Sequence, residues 1–353
     1  MKKIWSYTKN DDGTLCITGY HGDDLNLIIP TCINGVAVTS IGPGALCQSH
    51  LGWSKPIQSV IIPEGVSSIG DDAFHGCTRL TSVNLANSVK TIGNRAFRMC
   101  VALVDITIPN SVTSIGVMAF DGCKGLADKD GFVVVDNTLY DYFGQNTHVT
   151  IPNSVTSISN RAFFYCEKIT SITIPNSVKS IGDSAFLCCT GLADKDGFVI
   201  IRDVLYNYSG ESENVNIPDS VKTIGGNSFG GCENITTISI PNSVTSIGSG
   251  AFMGCEKLNS ITVSNNITSI EESTFDNCFN LTNITIPKGV TTIGDKAFYN
   301  CKKLKKLIVP KSVISIGKDA FYDCKKLTIH APEDSYAIEF AKENGLKFEE
   351  ITY

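Results

Sequence analysis

Fourteen cysteines are the residues of this chain best equipped for chemistry. Thiolates bind zinc, carry electrons or form disulfides, and each use demands its own spacing. Ten of the fourteen stand three residues after a phenylalanine: Cys77, Cys100, Cys123, Cys166, Cys189, Cys232, Cys255, Cys278, Cys301 and Cys324. Neighbours in this series lie 23 or 43 residues apart, with no C-x-x-C pairing and no matching histidines, so the pattern argues against a metal site. Equivalent positions on adjacent turns of a repeat have parallel Cβ vectors about 4.8 Å apart, beyond the ~3.5–4.5 Å of a disulfide. The expectation is a column of buried, reduced thiols acting as small core residues. Cys188, beside Cys189, leaves the column and is expected to be the more accessible of that pair.

The remaining reactive types form no constellation. His21, His50, His75, His148 and His330 are scattered, with no repeated neighbour that would complete a catalytic triad. No glycine-rich phosphate loop follows a strand pattern. Asp128-Lys129-Asp130-Gly131 and Asp194-Lys195-Asp196-Gly197 resemble the start of a calcium loop, but the third acid and the downstream glutamate are missing. Asp-Gly ahead of a β-branched run reads instead as a hairpin turn. No catalytic residue, metal or cofactor is assigned, and the chain is read as a non-enzyme.

What positions the cysteines is a repeat. The preceding phenylalanines are Phe74, Phe97, Phe120, Phe163, Phe186, Phe229, Phe252, Phe275, Phe298 and Phe321. Seven of the nine gaps are 23 residues, and Phe120 to Phe163 and Phe186 to Phe229 are 43. A fixed period of this size marks a solenoid. Within one repeat, Ile284 and Ile286 alternate with polar residues as in a half-buried strand, which Pro287 ends. Val290-Thr291-Thr292-Ile293-Gly294 is a second short strand. Asp295-Lys296-Ala297-Phe298 reads as one helical turn capped by Asp295, with Phe298 pointing inward. The two long gaps each carry 20 extra residues, and their likeness implies that a 66-residue block was duplicated. Each insertion is expected to form an edge hairpin, Phe132–Val135 against Leu139–Tyr142 and Phe198–Ile201 against Leu205–Tyr208.

The chain thus divides into residues 1–58, an N-terminal cap and degenerate first repeat; 59–328, the repeats, with insertions at 127–148 and 193–214; and 329–353, a C-terminal cap. In the first part, Asp12-Gly13 reads as a hairpin turn, Leu46 takes the phenylalanine slot, and the tail of that repeat runs through Trp53. The C-terminal cap is an amphipathic helix stopped at Asn344-Gly345, then a strand. All of it is read as one continuous solenoid of about eleven coils. A net charge of −6 argues against general nucleic-acid binding, and no apolar run approaches a membrane span of ~18–20 residues. Met1-Lys2-Lys3 is a basic start without a following apolar segment, which keeps the cytoplasm as an alternative location.

The pattern L-x-x-I-x-I-P-x-x-V-x-x-I-G-x-x-A-F-x-x-C, seen from Ile169 to Cys189 and from Leu258 to Cys278, is similar to the BspA-like class of leucine-rich repeats. The resemblance extends from Leu27 to about Ile329. It implies a right-handed leucine-rich-repeat superhelix and a bacterial cell-surface or secreted adhesion module without catalysis. The ligand it implies is a protein or polysaccharide, such as a host matrix protein. The chain itself is expected to be monomeric.

Specificity is then expected where coils differ. The polar concave sheet offers Thr170, Thr173, Thr236, Ser239, Thr282 and Thr285. The insertions offer Tyr140, Tyr142, Tyr206 and Tyr208, whose alternation suggests an aromatic face. Between Ala297 and His330, Lys302, Lys303, Lys305, Lys306, Lys311, Lys318, Lys325 and Lys326 face only Asp319 and Asp323. Of these, Lys305 and Lys306 fall on the sheet, and the patch suits an anionic polymer. The competing reading is a structural repeat domain of a larger surface assembly with no ligand of its own.

Overall fold

A computed structural model describes residues 4–47 and 57–352, so Met1–Lys3, His50 and the Trp53 tail lie outside the described residues. The chain forms two compact units, one of residues 1–163 with 172–185 and one of 164–171 with 186–353. Both are solenoids built from the same coil.

Each coil contributes two short strands to two parallel ladders. In the first unit, the strand Ser82–Leu85 lies between Ser59–Ile62 and Asp105–Ile106. The second strand of that coil, Thr91–Ile92, lies between Ser68–Ile69 and Ser114–Ile115. In the second unit, Thr237–Ser239 pairs with Asn214–Asn216 and Ser260–Thr262. Thr292–Ile293 likewise pairs with Ser269–Ile270 and Ser315–Ile316. Alternation decides the inside: Ile284 is buried while Asn283 and Thr285 on either side are exposed.

The segment expected to be a helical turn is a chain of tight turns instead. Ala73 donates to Gly70, His75 to Asp72 and Cys77 to Phe74, each three residues back. Asp72 and Gly76 sit at φ 54° and 74°, and the equivalent Lys296 and Asn300 at 54° and 59°, so no helix can propagate. Nor does Asp295 cap its own turn. Its Oδ1 accepts the Lys318 backbone N–H of the next coil at 2.8 Å, as Asp71 Oδ1 accepts that of Asn94 at 2.7 Å. The coils meet so closely there that a Cβ on Gly93 would lie 2.5 Å from the Asp71 nitrogen.

The phenylalanines form stacked columns, fully buried. Phe74, Phe97 and Phe120 stack at 5.1 and 5.5 Å in the first unit. Phe229, Phe252, Phe275 and Phe298 stack at 5.3, 5.5 and 5.2 Å in the second. Their backbone is wired as well, since Phe275 N–H donates to the Ala297 carbonyl of the next coil at 2.8 Å.

The insertions form the expected antiparallel hairpins, which are built into the ladder rather than laid on its edge. Phe132–Val135 pairs antiparallel with Thr138–Tyr142, and Phe198–Ile201 with Val204–Tyr208. The chain reverses at Asp136-Asn137, both at positive φ, while Asp128–Gly131 folds as a turn ahead of the first strand. The returning strand then joins the short-strand ladder, Leu139 opposite Ile158 and Leu205 opposite Ile224. The described residues make about fourteen turns, which roughly matches the expected coil count.

At the N-terminus, Trp5–Lys9 and Leu15–Tyr20 form the hairpin around Gly13, at φ 84°, with Tyr20 buried. At the C-terminus, the helix Tyr336–Glu343 buries Ala337, Ile338 and Ala341, and Phe340 meets Phe321 edge-on at 6.1 Å. Lys347–Glu350 then pairs in parallel with Thr328–Ala331.

Candidate functional site

The cysteine column is structural. Cys77, Cys100, Cys123, Cys255, Cys278, Cys301 and Cys324 are buried free thiols. Each thiol reaches a backbone carbonyl one coil back: Cys100 to Phe74 at 3.2 Å, Cys123 to Phe97 at 3.1 Å, and Cys301 to Phe275 at 3.1 Å. Burial pushes the Cys123 thiol up to about 12 and that of Cys232 up to about 11, away from the reactive thiolate. Cys188 is partly exposed where Cys189 is buried. Among the described residues, no group of three or more histidines, cysteines and carboxylates could hold a metal ion. Asp128 Oδ1 accepts the N–H groups of Asp130 and Phe132, and Asp194 Oδ1 those of Asp196 and Phe198, all at 2.9 Å. One oxygen of each carboxylate thus closes its own turn. The described histidines are engaged locally: His21 with Ser6 at 2.8 Å, His75 with Asp72 at 3.3 Å, His148 with Thr147 at 2.9 Å, and His330 with Glu349 at 3.2 Å.

The four insertion tyrosines do not line a surface. Tyr140, Tyr142, Tyr206 and Tyr208 are only 3–5% exposed. They pack against the buried phenylalanines of the neighbouring coils. Tyr140 meets Phe120 edge-on at 5.2 Å and Tyr142 meets Phe163 at 5.4 Å; Tyr206 meets Phe186 at 5.3 Å and Tyr208 meets Phe229 at 5.1 Å. The returning strand belongs to the ladder, so residues two apart along it face the core together. These four therefore leave the candidate surface.

The polar positions of the longer strands do face outward. In the second unit, Thr170, Ser239, Thr285, Lys305 and Lys306 are exposed, with Thr236 and Thr282 half-buried. Thr236 and Thr282 spend their hydroxyls on the carbonyls of Glu213 and Asn259, at 3.0 and 3.2 Å, so these two threonines are partly scaffold. Lys306 stands in register with Asn283 and Thr328. In the first unit, Thr173 is exposed. There the same face carries a groove of about 720 Å³ lined by Ser59, Ile61, Ser82, Asn84, Asp105 and Thr107. Ile61 is 42% exposed, and Ile28, its register partner, 61%. These two isoleucines were not singled out from the sequence. Their signal was an apolar residue at the outward position next to Leu27 and Val60, where most later coils have asparagine, serine or threonine.

No helix among the described residues is long and apolar enough to cross a membrane. The model of the BspA type leucine rich repeat region matches in six copies, over residues 47–130, 134–195 and 199–328. A leucine rich cell surface protein of Faecalibacterium prausnitzii is 30% identical, over 100% of this chain and 98% of that one, with a TM-score of 0.46. A leucine-rich repeat protein of Bacteroides ovatus is 25% identical over 100% and 99%, with a TM-score of 0.41. The pneumococcal vaccine antigen PcpA is 16% identical over 99% and 97%, with a TM-score of 0.41. Comparison with curated proteins finds no match.

Proposed function

This chain belongs to the BspA-type leucine-rich-repeat family, and from that premise we propose that it is a non-catalytic recognition and adhesion module working at the cell surface. Its ligand is a protein or polysaccharide held on the outward face of the longer strands. One observation carries the reading. Inward positions of these strands repeat the same aliphatic residues, whereas outward positions are exposed and change from coil to coil, as Ile61, Asn84 and Thr107 do in the first unit. Thr173 on that unit, and Thr170, Ser239, Thr285, Lys305 and Lys306 on the other, belong to the same set, with Thr236 and Thr282 at its margin. Repeat proteins commonly bind through such extended faces.

The test is binding of the full chain to a panel of immobilised matrix proteins and glycans, followed by variants of any detected pair. Asn84→Arg with Thr107→Arg, or Ser239→Arg with Thr285→Arg, introduces bulk and charge on the face without touching the core. Loss of binding in one pair of substitutions is the expected result. Unchanged binding in both would remove the longer-strand face as the site.

A further inference from the structure

A second surface lies on the turns of the last repeats, and its charge is not balanced. Elsewhere, 23-residue neighbours of opposite sign close on each other: Arg95 meets Asp72 at 2.8 Å, and Arg98 meets Asp121 at 2.6 Å. Lys302 is instead followed one coil later by Lys325, and Lys303 by Lys326. All four are exposed. That one side chain spans the step is shown by Lys303 Nζ reaching Asn280 Oδ1 of the preceding coil at 2.5 Å. Among the described residues only Lys325 has a carboxylate partner here, Asp323 at 2.9 Å. On the same turns Tyr299 and Tyr322 stack at 4.9 Å and 12°, with Tyr322 57% exposed. Lys302 Nζ sits 4.8 Å over the Phe279 ring.

We propose that these paired lysine columns and the tyrosine ledge bind a linear sulfated polysaccharide. Such a polymer presents anions at intervals along a chain of rings, so sulfates meet the ammonium groups while a sugar's C–H face lies on Tyr322. Arginine, whose planar fork suits bidentate phosphate recognition, is absent after Arg202. The lysines act as point charges, which fits singly charged sulfates. This reading does not depend on the longer-strand face.

The experiment measures heparin binding to the full chain across 0.05–0.5 M NaCl, with desulfated heparin and inorganic polyphosphate alongside. Affinity for heparin should fall steeply with salt. Replacing Lys302, Lys303, Lys325 and Lys326 by glutamine should weaken it at least about tenfold, and Tyr322→Ala a few-fold, without changing the melting profile. Replacing Lys90, Lys179, Lys222 and Lys257 by glutamine, an equal loss of charge elsewhere, should change it less than about twofold. Asn283→Ala with Thr285→Ala, which alters only the longer-strand face, should leave heparin binding intact. Four results overturn the proposal: no binding at low salt, equal loss in the control quadruple, equal binding of desulfated heparin, or tighter binding of polyphosphate.

Discussion

The thiol of Cys278 donates to the carbonyl oxygen of Phe252, one coil back, at 3.2 Å. The same carbonyl accepts the Cys255 backbone N–H at 3.2 Å. Cysteine at this position therefore supplies a small apolar volume together with a donor that ties adjacent coils. Cys278→Ala removes both and should cost about 1–2 kcal/mol, read as a shift in the urea midpoint with unchanged slope. A variant that unfolds with the parent would reduce the contact to coincidence.

Thiol accessibility gives a second expectation. In the native protein Cys32, which is exposed, should react with a thiol probe well before the column cysteines. Cys123 should remain unlabelled until the chain unfolds, because burial both hides it and raises its proton affinity to about 12. Mass mapping of labelled peptides before and after denaturation checks the order; early labelling of Cys123 would contradict it.

Phe252 lies between Phe229 and Phe275, at 5.3 and 5.5 Å, with no exposed surface. Phe252→Ala opens a cavity shared by three coils and should cost roughly 3–5 kcal/mol. The loss should concentrate in the second unit, so hydrogen exchange should accelerate first in the amides of neighbouring coils, such as Phe275. Uniform acceleration through that unit would point to a single cooperative block instead.

Asp141 provides the pH dependence. It lies on the returning strand of the first insertion, where its Oδ2 accepts the Gly122 N–H at 2.9 Å. Burial, and secondarily the charge of Asp121, raises its carboxyl from 3.8 to about 6. The folded protein thus holds this proton more tightly than the unfolded chain. The resulting cost, on the order of 2–3 kcal/mol, is fully present above pH ~6 and is relieved as pH falls toward ~4. The duplicated coil has Asn207 there, with its Oδ1 accepting the Cys188 N–H at 3.2 Å. Asp141→Asn should therefore stabilise the protein at pH 7, and its advantage should shrink by pH 4.5. Parallel denaturation curves at both pH values decide it; an advantage that grows on acidification would reverse the assignment.

Much of this architecture was legible because the period is strict. Phe252 and Cys278 each recur at fixed offsets, and a residue type repeated at every turn of a solenoid specifies the stacking core. The turns were not legible. Left-handed backbone at Asp72, Arg95 and Lys296 is imposed by the coil, and these residue types do not announce it as glycine would. Nor was the role of Tyr142. It stands 22 residues after Phe120 and 21 before Phe163, just off the 23-residue register, so its place in the aromatic column was hidden. On the candidate surface, threonine serves equally as strand former and contact residue. Hydrogen bonds such as those from Thr236 to the Glu213 carbonyl and from Thr282 to the Asn259 carbonyl mark the hydroxyls that serve the scaffold.

Because the regular coils repeat the same hydrogen bonds to the coil before and the coil after, length is a variable this architecture can change in fixed increments. Removing Ser239–Ile261, or inserting a second copy of it, would bring like surfaces together and require no new complementarity. The 20-residue insertions show that the increment need not even be uniform, provided that a strand rejoins the ladder and an aromatic ring refills the column. Reach toward a ligand can thus be adjusted independently of the residues that recognise it.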